Sequence, residues 1–339
     1  MSVMDEIEPV GWGICSTGTI AHSFATDLHL LNSARVAAVG SRELSSAEAF
    51  AAEHGGTAHA SYAAMLEDDT VDVVYVASPH ALHPEHVAMA LDAGKPVLCE
   101  KPVALNAGLT STMLDHATAS GLFFMEAMWM ACNPLVRHLR ERLAAGDFGQ
   151  PLQLVADLGF RVPDDASPRM WDPALGAGAL LDMGIYPLTL AQLLLGDPAE
   201  LAPVAQLSSS GVDVNVAISA RYESGAVAAL TASMTAQSPR TASIATDRGR
   251  LDLPSGFHHP SYATWTAYED GRATEPVRID PPSPLIGTGL GNEAVEVGRC
   301  LRAGELQSPL VPHAQTLALM QQMDLIRSEI GVVYPQERD

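Results

Sequence analysis

The sequence predicts an α/β domain with a parallel sheet, followed by an α+β domain with a largely antiparallel, open-faced sheet. The chain has 339 residues, which is more than one ordinary domain core supports. Up to about residue 128, short and nearly continuous apolar runs alternate with helical runs, as in parallel sheets covered on both faces. Beyond that point, longer strand patterns are separated by turn residues. We therefore expect domains at 1–128 and 129–339, the second for substrate binding and oligomerisation.

The first half supplies the parallel strands and their crossover helices. Helix 83–94 carries Pro84 in its first turn and ends at Gly94, which is typical of helix boundaries. The strands are predicted at 10–16, 35–41, 71–77, 96–100 and 123–127, and the helices at 19–31, 45–55, 83–94 and 106–120.

The second half supplies strands joined by hairpin turns. The tripeptides "ESG" and "DRG" interrupt apolar runs and are typical of hairpin connections. The strands are predicted at 151–160, 212–222, 225–234 and 241–254, and the helices at 134–145, 177–195, 292–303 and 313–330.

Composition argues against several classes of function. The net charge of −21 disfavours nucleic-acid binding, which needs clustered basic residues. Residues 1–10 do not resemble a signal peptide, and no apolar stretch looks long and clean enough to span a membrane. The four cysteines, at 15, 99, 132 and 300, have no CxxC spacing and indicate buried free thiols. We expect a cytoplasmic protein.

A glycine turn follows the first strand, in "CSTGTIA". It fits a variant of G-x-G-x-x-G/A, in which Gly18 lets the backbone approach a pyrophosphate at a helix N-terminus and Ala21 packs helix on strand. Because Ser16 replaces the first glycine, we expect no positive φ there. An ordinary strand–helix turn is the alternative. The pattern favours a Rossmann-type domain with cofactor contacts from the turn: Ser16, Thr17, Gly18, Thr19 and Ile20.

The end of the second strand should contact the adenosine ribose. An acidic residue there would bind a ribose 2′-hydroxyl, but the sequence has Ser41 and Arg42, which suit a 2′-phosphate. NADP is therefore expected rather than NAD, although NAD stays possible because Glu43 weakens the local positive charge. The alternative is that Arg42 is only a solvated loop residue.

Three histidines, at 80, 83 and 86, follow the third predicted strand in "SPHALHPEH". A metal site needs three or four converging ligands, and Pro84 places His80 in the loop before the helix. We therefore expect no metal and instead a cofactor-lining or capping role for this segment, with contacts from Ser78, Pro79, His80 and His83.

The chain has only two lysines, and Lys101 follows a strand at the sheet edge where ligands bind. A lysine that only pairs with Glu100 is the alternative. Asp182 and Tyr186 are four residues apart in an apolar helix, so they share a face if the helix is continuous. A Lys101–Asp182–Tyr186 set would form a proton-transfer device, since the cation favours the phenolate. The alternative is a helix-terminal Asp and a packed Tyr.

Several segments together resemble the glucose–fructose oxidoreductase / inositol dehydrogenase (Gfo/Idh/MocA) family. They are "GWGICSTGTIA", "YVASPHALHPEHVAMALDAGKPVLCEKPVALN", "MEAMWMACNP", "GAGALLDMGIYPLTLAQLLLG" and "IGVVYPQE", with E-K-P at Glu100–Pro102 the most specific. The branch it looks most like contains dimeric dihydrodiol dehydrogenases and NADP-dependent D-xylose dehydrogenases. The resemblance implies Lys101 and Tyr186 as catalytic residues and Asp182 as their companion. Glu100 would lie at the cofactor site, and Trp129 and Phe160 at the substrate.

The expected activity is hydride transfer between nicotinamide and a CH–OH or C=O group of a sugar, polyol or cyclic diol. The family also contains enzymes that use a tightly held cofactor for transient oxidation, and a noncatalytic NADP-binding sensor is a further alternative. Related sequences carry an arginine and an aromatic residue where this chain has "MAC" at 130–132, which leaves the substrate open. The loops 161–173 and 281–293 are expected to set specificity. Apolar residues on both sheet faces predict a homodimer or homotetramer.

Overall fold

The computed structural model describes residues 8–163 and 168–338. The chain forms two compact units. The first comprises the described residues of Met1–Ala104, Gly108–Trp129 and Ile286–His313. The second comprises the described residues of Leu105–Ala107, Met130–Leu285 and Ala314–Asp339. Parts of the predicted N-terminal segment 1–10 and of loop 161–173 lie outside the described residues.

The first unit contains a parallel sheet, as the alternating pattern predicted. Its strand order is β3-β2-β1-β4-β5-β6, and β3 was not predicted. Its interior strands are buried because helices cover both faces. The strands are β1 (Val10–Cys15), β2 (Ala34–Gly40), β3 (Thr57–His59), β4 (Val73–Val76), β5 (Val97–Glu100) and β6 (Phe124–Ala127). The helices are α1 (Thr19–Leu28), α2 (Leu44–His54), α3 (Tyr62–Leu66), α4 (His83–Asp92) and α5 (Ala107–Ser120), followed by the short α6 (Trp129–Cys132).

A late segment of the chain, Ile286–His313 with helix α9 (Leu290–Ala303), belongs to the first unit. Asp27 of α1 is buried and accepts hydrogen bonds from the backbone amides of Thr288, Gly289 and Gly291, at 2.9, 3.2 and 3.1 Å. These bonds fix loop 286–291 to α1. Part of loop 281–293 is thus not in the second unit, where the sequence analysis placed it. The division of roles at residue 128 stays a prediction.

The second unit contains a mostly antiparallel sheet with the order β14-β13-β12-β11-β7-β10-β9-β8, and β15 pairs with β13. The neighbouring strands β7 and β10 are parallel. The strands are β7 (Pro151–Gly159), β8 (Glu200–Leu207), β9 (Asp213–Arg221), β10 (Val227–Ser233), β11 (Ala242–Thr246), β12 (Gly249–Leu253), β13 (Ala263–Glu269), β14 (Arg272–Ala273) and β15 (Val277–Ile279). The tripeptides "ESG" and "DRG" connect antiparallel neighbours, as predicted.

The helices of the second unit are α7 (Pro134–Ala144), α8 (Ile185–Leu195) and α10 (His313–Ile330). A π-helical turn, Leu180–Gly184, leads directly into α8. Side chains of α8 and of the π-turn pack against β7 and β10, so one face of this sheet is covered. The fold class predicted from the sequence is confirmed for both units.

One stretch, Pro173–Leu195, is long and apolar enough by composition to cross a membrane, contrary to the sequence expectation. Of its most apolar 18-residue window, 72% is buried inside the protein. A helix buried in this way is apolar all round because it lies in a core.

Candidate active site

In the turn after β1, Ser16 takes the place of the first glycine of the motif and has a strained backbone. Ser16 has φ +98°, so the expectation that this position avoids positive φ was wrong. Its backbone amide donates to the carbonyl oxygen of Gly40 at the end of β2, at 3.1 Å, which holds the turn against the neighbouring strand. Non-glycine residues in this region cost about 1–3 kcal/mol, and such strain is concentrated at functional sites.

Gly18 faces open space. It is the N-cap of α1, and among the described residues a Cβ atom built on it would meet no atom closer than Ser16 Oγ, at 3.9 Å. Packing against the described residues therefore does not require glycine here, whereas close approach of a phosphate would. Gly18 has no side chain to cap α1, and Thr19 and Ile20 are exposed, so the first amides of the helix are accessible to an anion.

Ser41 and Arg42 lie at the end of β2, as predicted. Ser41 is buried, and its hydroxyl accepts a hydrogen bond of 3.3 Å from the Glu43 amide. Arg42 is exposed, and its charge lies near the Tyr62 phenol. Burial raises the pKa of this phenol above its usual value, and the charge of Arg42 offsets part of that rise. This strand end therefore offers a cation and a hydroxyl, which fits a 2′-phosphate.

The histidine segment after β4 is held by its own hydrogen bonds. His83 is fully buried, with Nε2 2.8 Å from the Ser78 carbonyl oxygen and Nδ1 3.0 Å from that of Pro102. Burial lowers its pKa to about 4, so the ring is neutral at pH 7. His86 Nδ1 lies 2.8 Å from Ser78 Oγ. Both ring nitrogens of His83 face backbone carbonyl oxygens, and its cofactor-lining or capping role stays a prediction. His83 joins the Ser78 loop to the E-K-P segment, while His80 is buried in a single 3₁₀ turn.

Lys101 follows β5, and the carboxylates around it are arranged by hydrogen bonds. Glu100 is buried, accepts from the Tyr75 hydroxyl and accepts from the Lys101 amide at 3.1 Å. Glu126, on the adjacent strand β6, accepts from the Val103 amide at 3.1 Å. The segment after β5 is therefore fixed on both sides, and its peptide bond Lys101–Pro102 is cis.

Glu293 of α9 is a buried carboxyl in the same unit. It is 0% exposed, and burial followed by the nearby Glu100 and Asp27 charges raises its pKa well above the usual range. Neither carboxyl oxygen has a hydrogen-bond partner among the described residues. Burial and the neighbouring negative charges therefore favour the protonated form of Glu293. The sequence analysis missed it because it is almost 200 residues from Glu100.

Asp182 and Tyr186 lie on one continuous helical segment, as the sequence required. Asp182 is in the π-turn and Tyr186 is in the first turn of α8. Arg169 Nη2 lies 3.9 Å from Asp182 Oδ1, and Tyr186, which is 6% exposed, packs with its ring centroid 4.9 Å from that of His258. Arg169 comes from loop 161–173, so this loop places an arginine beside Asp182.

A buried carboxylate holds the start of this helical segment. Asp213 of β9 is 0% exposed and accepts a hydrogen bond of 2.6 Å from the Leu180 amide, the first of the π-turn. The Tyr334 hydroxyl, from the C-terminal "VVYPQE", donates to the Ala177 carbonyl oxygen at 3.0 Å. Arg327 pairs with Glu337 at 2.8 Å in the same segment. The C-terminal segment therefore positions the helix that carries Asp182 and Tyr186.

The remaining predicted residues lie at strand or helix ends. Trp129 begins α6 and is half-buried, and Phe160 directly follows β7 and is 37% exposed. Lys101 and Trp129 belong to the first unit, whereas Asp182 and Tyr186 belong to the second. The Lys101–Asp182–Tyr186 set therefore stays a prediction.

Sequence reasoning missed Arg169, His258, Asp213 and Glu293. The adjacent pair His258-His259 in an apolar context was a usable signal for one of them. The others depend on contacts between residues that are far apart in the chain.

Comparison with known proteins identifies the family. Residues 10–128 match the model of an oxidoreductase family with an NAD-binding Rossmann fold, and residues 136–252 match the GFO/IDH/MocA C-terminal domain. Trans-1,2-dihydrobenzene-1,2-diol dehydrogenases from Bos taurus and Homo sapiens are each 33% identical, over 96% of this chain and 98% of theirs.

Solved structures agree with this assignment. A 3-ketoreductase from Actinomadura kijaniata, solved with NADP and TDP-benzene, is similar at a TM-score of 0.85 and 25% identity, over 95% of this chain and 98% of that one. A levoglucosan dehydrogenase, solved with NADH and levoglucosan, has a TM-score of 0.85 at 17% identity, over 96% and 98%, and shares the fold. The chain therefore belongs to the Gfo/Idh/MocA family and is an oxidoreductase with a nicotinamide-dinucleotide-binding Rossmann domain.

Proposed function

We propose that this protein is an NADP-dependent dehydrogenase or reductase acting on a secondary alcohol or ketone of a cyclic diol, polyol or sugar. The observation that carries the proposal is the joint presence of Lys101 at the ligand edge of the parallel sheet and Asp182 with Tyr186 on a firmly anchored helix. Relatives named for trans-1,2-dihydrobenzene-1,2-diol favour a cyclic trans-diol as the first substrate to try.

In this proposal, the hydride is transferred between the substrate carbon and the nicotinamide ring of the bound cofactor. Tyr186 exchanges the proton with the substrate oxygen, and its burial shields that proton from bulk water. Lys101 binds the substrate oxygen through its ammonium group, and a positive charge near a phenol would favour the phenolate. Asp182, which lies 3.9 Å from Arg169, orients the substrate, and Trp129 and Phe160 are proposed to contact it.

The preference for NADP rests on Arg42 and Ser41 at the end of β2. A guanidinium is suited to a phosphate because it offers several donors in a planar arrangement. An acidic residue, which would select the 2′-hydroxyl of NAD, is absent from the strand end itself. The A. kijaniata 3-ketoreductase was crystallised with NADP, which supports the same choice.

The direct test is a screen with purified protein. Trans-cyclic diols, inositols and aldoses are offered with NADP and with NAD, and absorbance at 340 nm is followed together with product. Reduction of NADP by a diol or sugar, in proportion to product, is expected. Product without any net change in cofactor would instead indicate transient oxidation by a tightly held cofactor. Stoichiometric NADP binding without turnover of any substrate would favour a sensor.

We also propose that the protein is a homo-oligomer that pairs through the uncovered face of the second sheet. That face carries exposed apolar side chains at the centre of the sheet, among them Val155 (45% exposed) and Val227 (44%), with Ala229 between them. Sheets with an apolar outer face are stable when the face is covered. Light scattering after gel filtration should give at least a dimer, and Val155→Arg should shift it towards the monomer.

A cytoplasmic location is proposed from the cysteines. All four lie in described segments, are buried and form no disulfide, which is typical of a reducing compartment. Cell fractionation that recovers the protein with the cytosol would support this, and recovery with an oxidising compartment would contradict it.

A further inference from the structure

Two histidines and a glutamate converge on the surface of the first unit, between α1 and α2. His22 Nδ1 lies 2.9 Å from His54 Nε2. The Glu53 carboxylate lies beside both rings, with one oxygen 3.2 Å from His22 Nδ1 and the other 3.5 Å from His54 Nε2. One donor atom from each residue lies within 4.8 Å of the other two. This cluster is separate from the residues assigned to the redox site.

The spacing of these atoms matches the coordination shell of a small divalent ion. Zinc binds imidazole nitrogen and carboxylate oxygen at about 2.0–2.2 Å, so two of its ligand atoms are about 2.9 Å apart at a right angle and about 3.4 Å apart at a tetrahedral angle. The two nitrogens are 2.9 Å apart, and each lies near a different oxygen of the Glu53 carboxylate, at 3.2 and 3.5 Å, so the separations are close to that range. An ion could therefore bind without displacement of either helix.

The cluster is buried on the side of His54 and open to solvent on the side of His22 and Glu53. The His54 side chain is 3% exposed and packs against Phe50, while the His22 and Glu53 side chains are 38% and 62% exposed. Burial, opposed by Glu53, lowers the pKa of His54, and the neighbouring rings of His22 and His29 lower it further. A neutral imidazole has the lone pair that a metal needs, and the exposed side leaves room for water as a fourth ligand.

We propose that His22, Glu53 and His54 form a binding site for a divalent transition-metal ion of the zinc class, which ties α1 to α2. Two imidazoles and a carboxylate suit zinc, and sites with three protein ligands and an open position are common for it. The sequence analysis expected no metal, but it weighed only the histidines at 80, 83 and 86. His22 is more than 30 residues from the adjacent Glu53 and His54, so no sequence motif marks the three ligands together.

The buried Nδ1 atom of His54 limits the affinity of this site for a metal ion. When Nε2 binds a metal, the ring proton must be on Nδ1, which is buried without an acceptor among the described residues. Metal-binding histidines usually donate this proton to a carbonyl or carboxylate. We therefore expect one site of modest affinity, weaker than a structural zinc site with full outer-shell support.

The proposed metal site lies between two helices that begin next to the proposed cofactor site. α1 begins directly after Gly18, and the His22 amide bonds to the Gly18 carbonyl oxygen at 3.2 Å. α2 follows the Ser41–Arg42 strand end. An ion at the cluster would therefore hold together the two helices whose N-terminal ends flank the proposed cofactor site.

The test uses the whole chain, stripped with chelator and titrated with ZnCl₂ by calorimetry, and separately with CoCl₂ by visible absorption. Wild type should bind one ion per chain and gain thermal stability. His22→Gln and Glu53→Gln should each weaken binding by about tenfold or more and remove the visible Co²⁺ band, while both variants stay folded because these side chains are exposed.

His116→Gln is the matched control. His116 pairs with Asp92 at 3.0 Å on the surface of the same unit, where only two candidate ligands meet. This variant should titrate as wild type does. The proposal is overturned if wild type binds no ion, or if His22→Gln and Glu53→Gln bind Zn²⁺ as tightly as wild type and His116→Gln, which would indicate scattered surface histidines.

Discussion

Asp213 accepts a hydrogen bond of 2.6 Å from the backbone amide of Leu180, the first residue of the π-turn that leads to Tyr186. The carboxylate is fully buried, and its second oxygen has no hydrogen-bond partner among the described residues. A π-turn is rare and is often found at functional sites. This hydrogen bond therefore links a buried carboxyl on β9 to the start of the proposed catalytic helix.

We predict that Asp213 makes stability dependent on pH. Burial raises its pKa from 3.8 to about 7, and the Leu180 bond and Arg327 oppose this only in part. Since the folded carboxyl holds its proton more tightly, its contribution to stability is present below about pH 4 and is lost as pH rises through about 7. The Asp213→Asn variant keeps an acceptor without the charge. As pH rises from about 4 to about 7, this variant should therefore lose less stability than wild type.

The measurement is urea unfolding at several pH values from about 4 to 8 for both proteins. A constant difference between the two free energies of unfolding would contradict the prediction. Asp213→Ala is the companion variant, because it leaves the buried Leu180 amide without an acceptor. It should be less stable than Asp213→Asn by about 1–3 kcal/mol.

Ser16→Gly should stabilise the protein. The φ of +98° is costly for serine and free of strain for glycine. Relief of about 1–3 kcal/mol is opposed by about 0.5–1 kcal/mol of extra chain entropy in the unfolded state, so a net gain of about 1 kcal/mol is expected. Ser16→Ala keeps the strain and should give no gain. Equal stabilities for the two variants in urea unfolding would count against a strained turn.

Arg42→Ala should shift cofactor preference. Loss of a charged hydrogen bond to a 2′-phosphate, worth about 1.5–3 kcal/mol, should weaken NADP binding by about 10–100-fold and leave NAD binding nearly unchanged. Arg35→Ala is the control, since Arg35 lies near the opposite end of the same strand, β2. Fluorescence titration with both cofactors measures the ratio. If NADP affinity falls by the same factor in Arg42→Ala and in Arg35→Ala, Arg42 does not bind the phosphate.

Lys95 is the internal control for Lys101. It precedes β5, and its ammonium donates to the carbonyl oxygens of Val71 and Asp68, at 2.8 and 3.2 Å. Lys95→Met should therefore reduce the free energy of unfolding by about 1–3 kcal/mol while turnover per folded molecule is unchanged. A large loss of turnover in this variant, with stability unaffected, would show that the two lysines had been given the wrong roles.

The sequence was most informative where strands are buried along their whole length. β4 and β5 are buried on both faces, and their apolar runs predicted parallel strands directly. β8 was missed because six of its eight residues are exposed and Pro203 interrupts it. Its position at the edge of the sheet explains both features, since an edge strand tolerates proline and solvent exposure.

The candidate site was predictable only where local motifs mark it. Gly18, Arg42 and Lys101 each follow a strand, so topology alone places them at the ligand edge. Asp27 and Gly291, or Asp213 and Leu180, meet only because distant segments pack together, and no local pattern records those contacts. The φ of Ser16 was also misjudged, because the constraint is the bond to Gly40 and not the residue type.

The most direct test of the account is the turnover of Tyr186→Phe, measured with a substrate found in the NADP screen. The phenol is the proposed proton-transfer group, and such groups contribute about 10²–10⁴-fold. We predict that kcat falls by that amount while NADP affinity stays within about twofold of wild type. Tyr222→Phe, which alters another buried phenol of the same unit, should keep wild-type turnover. A Tyr186→Phe variant with wild-type kcat would contradict the account.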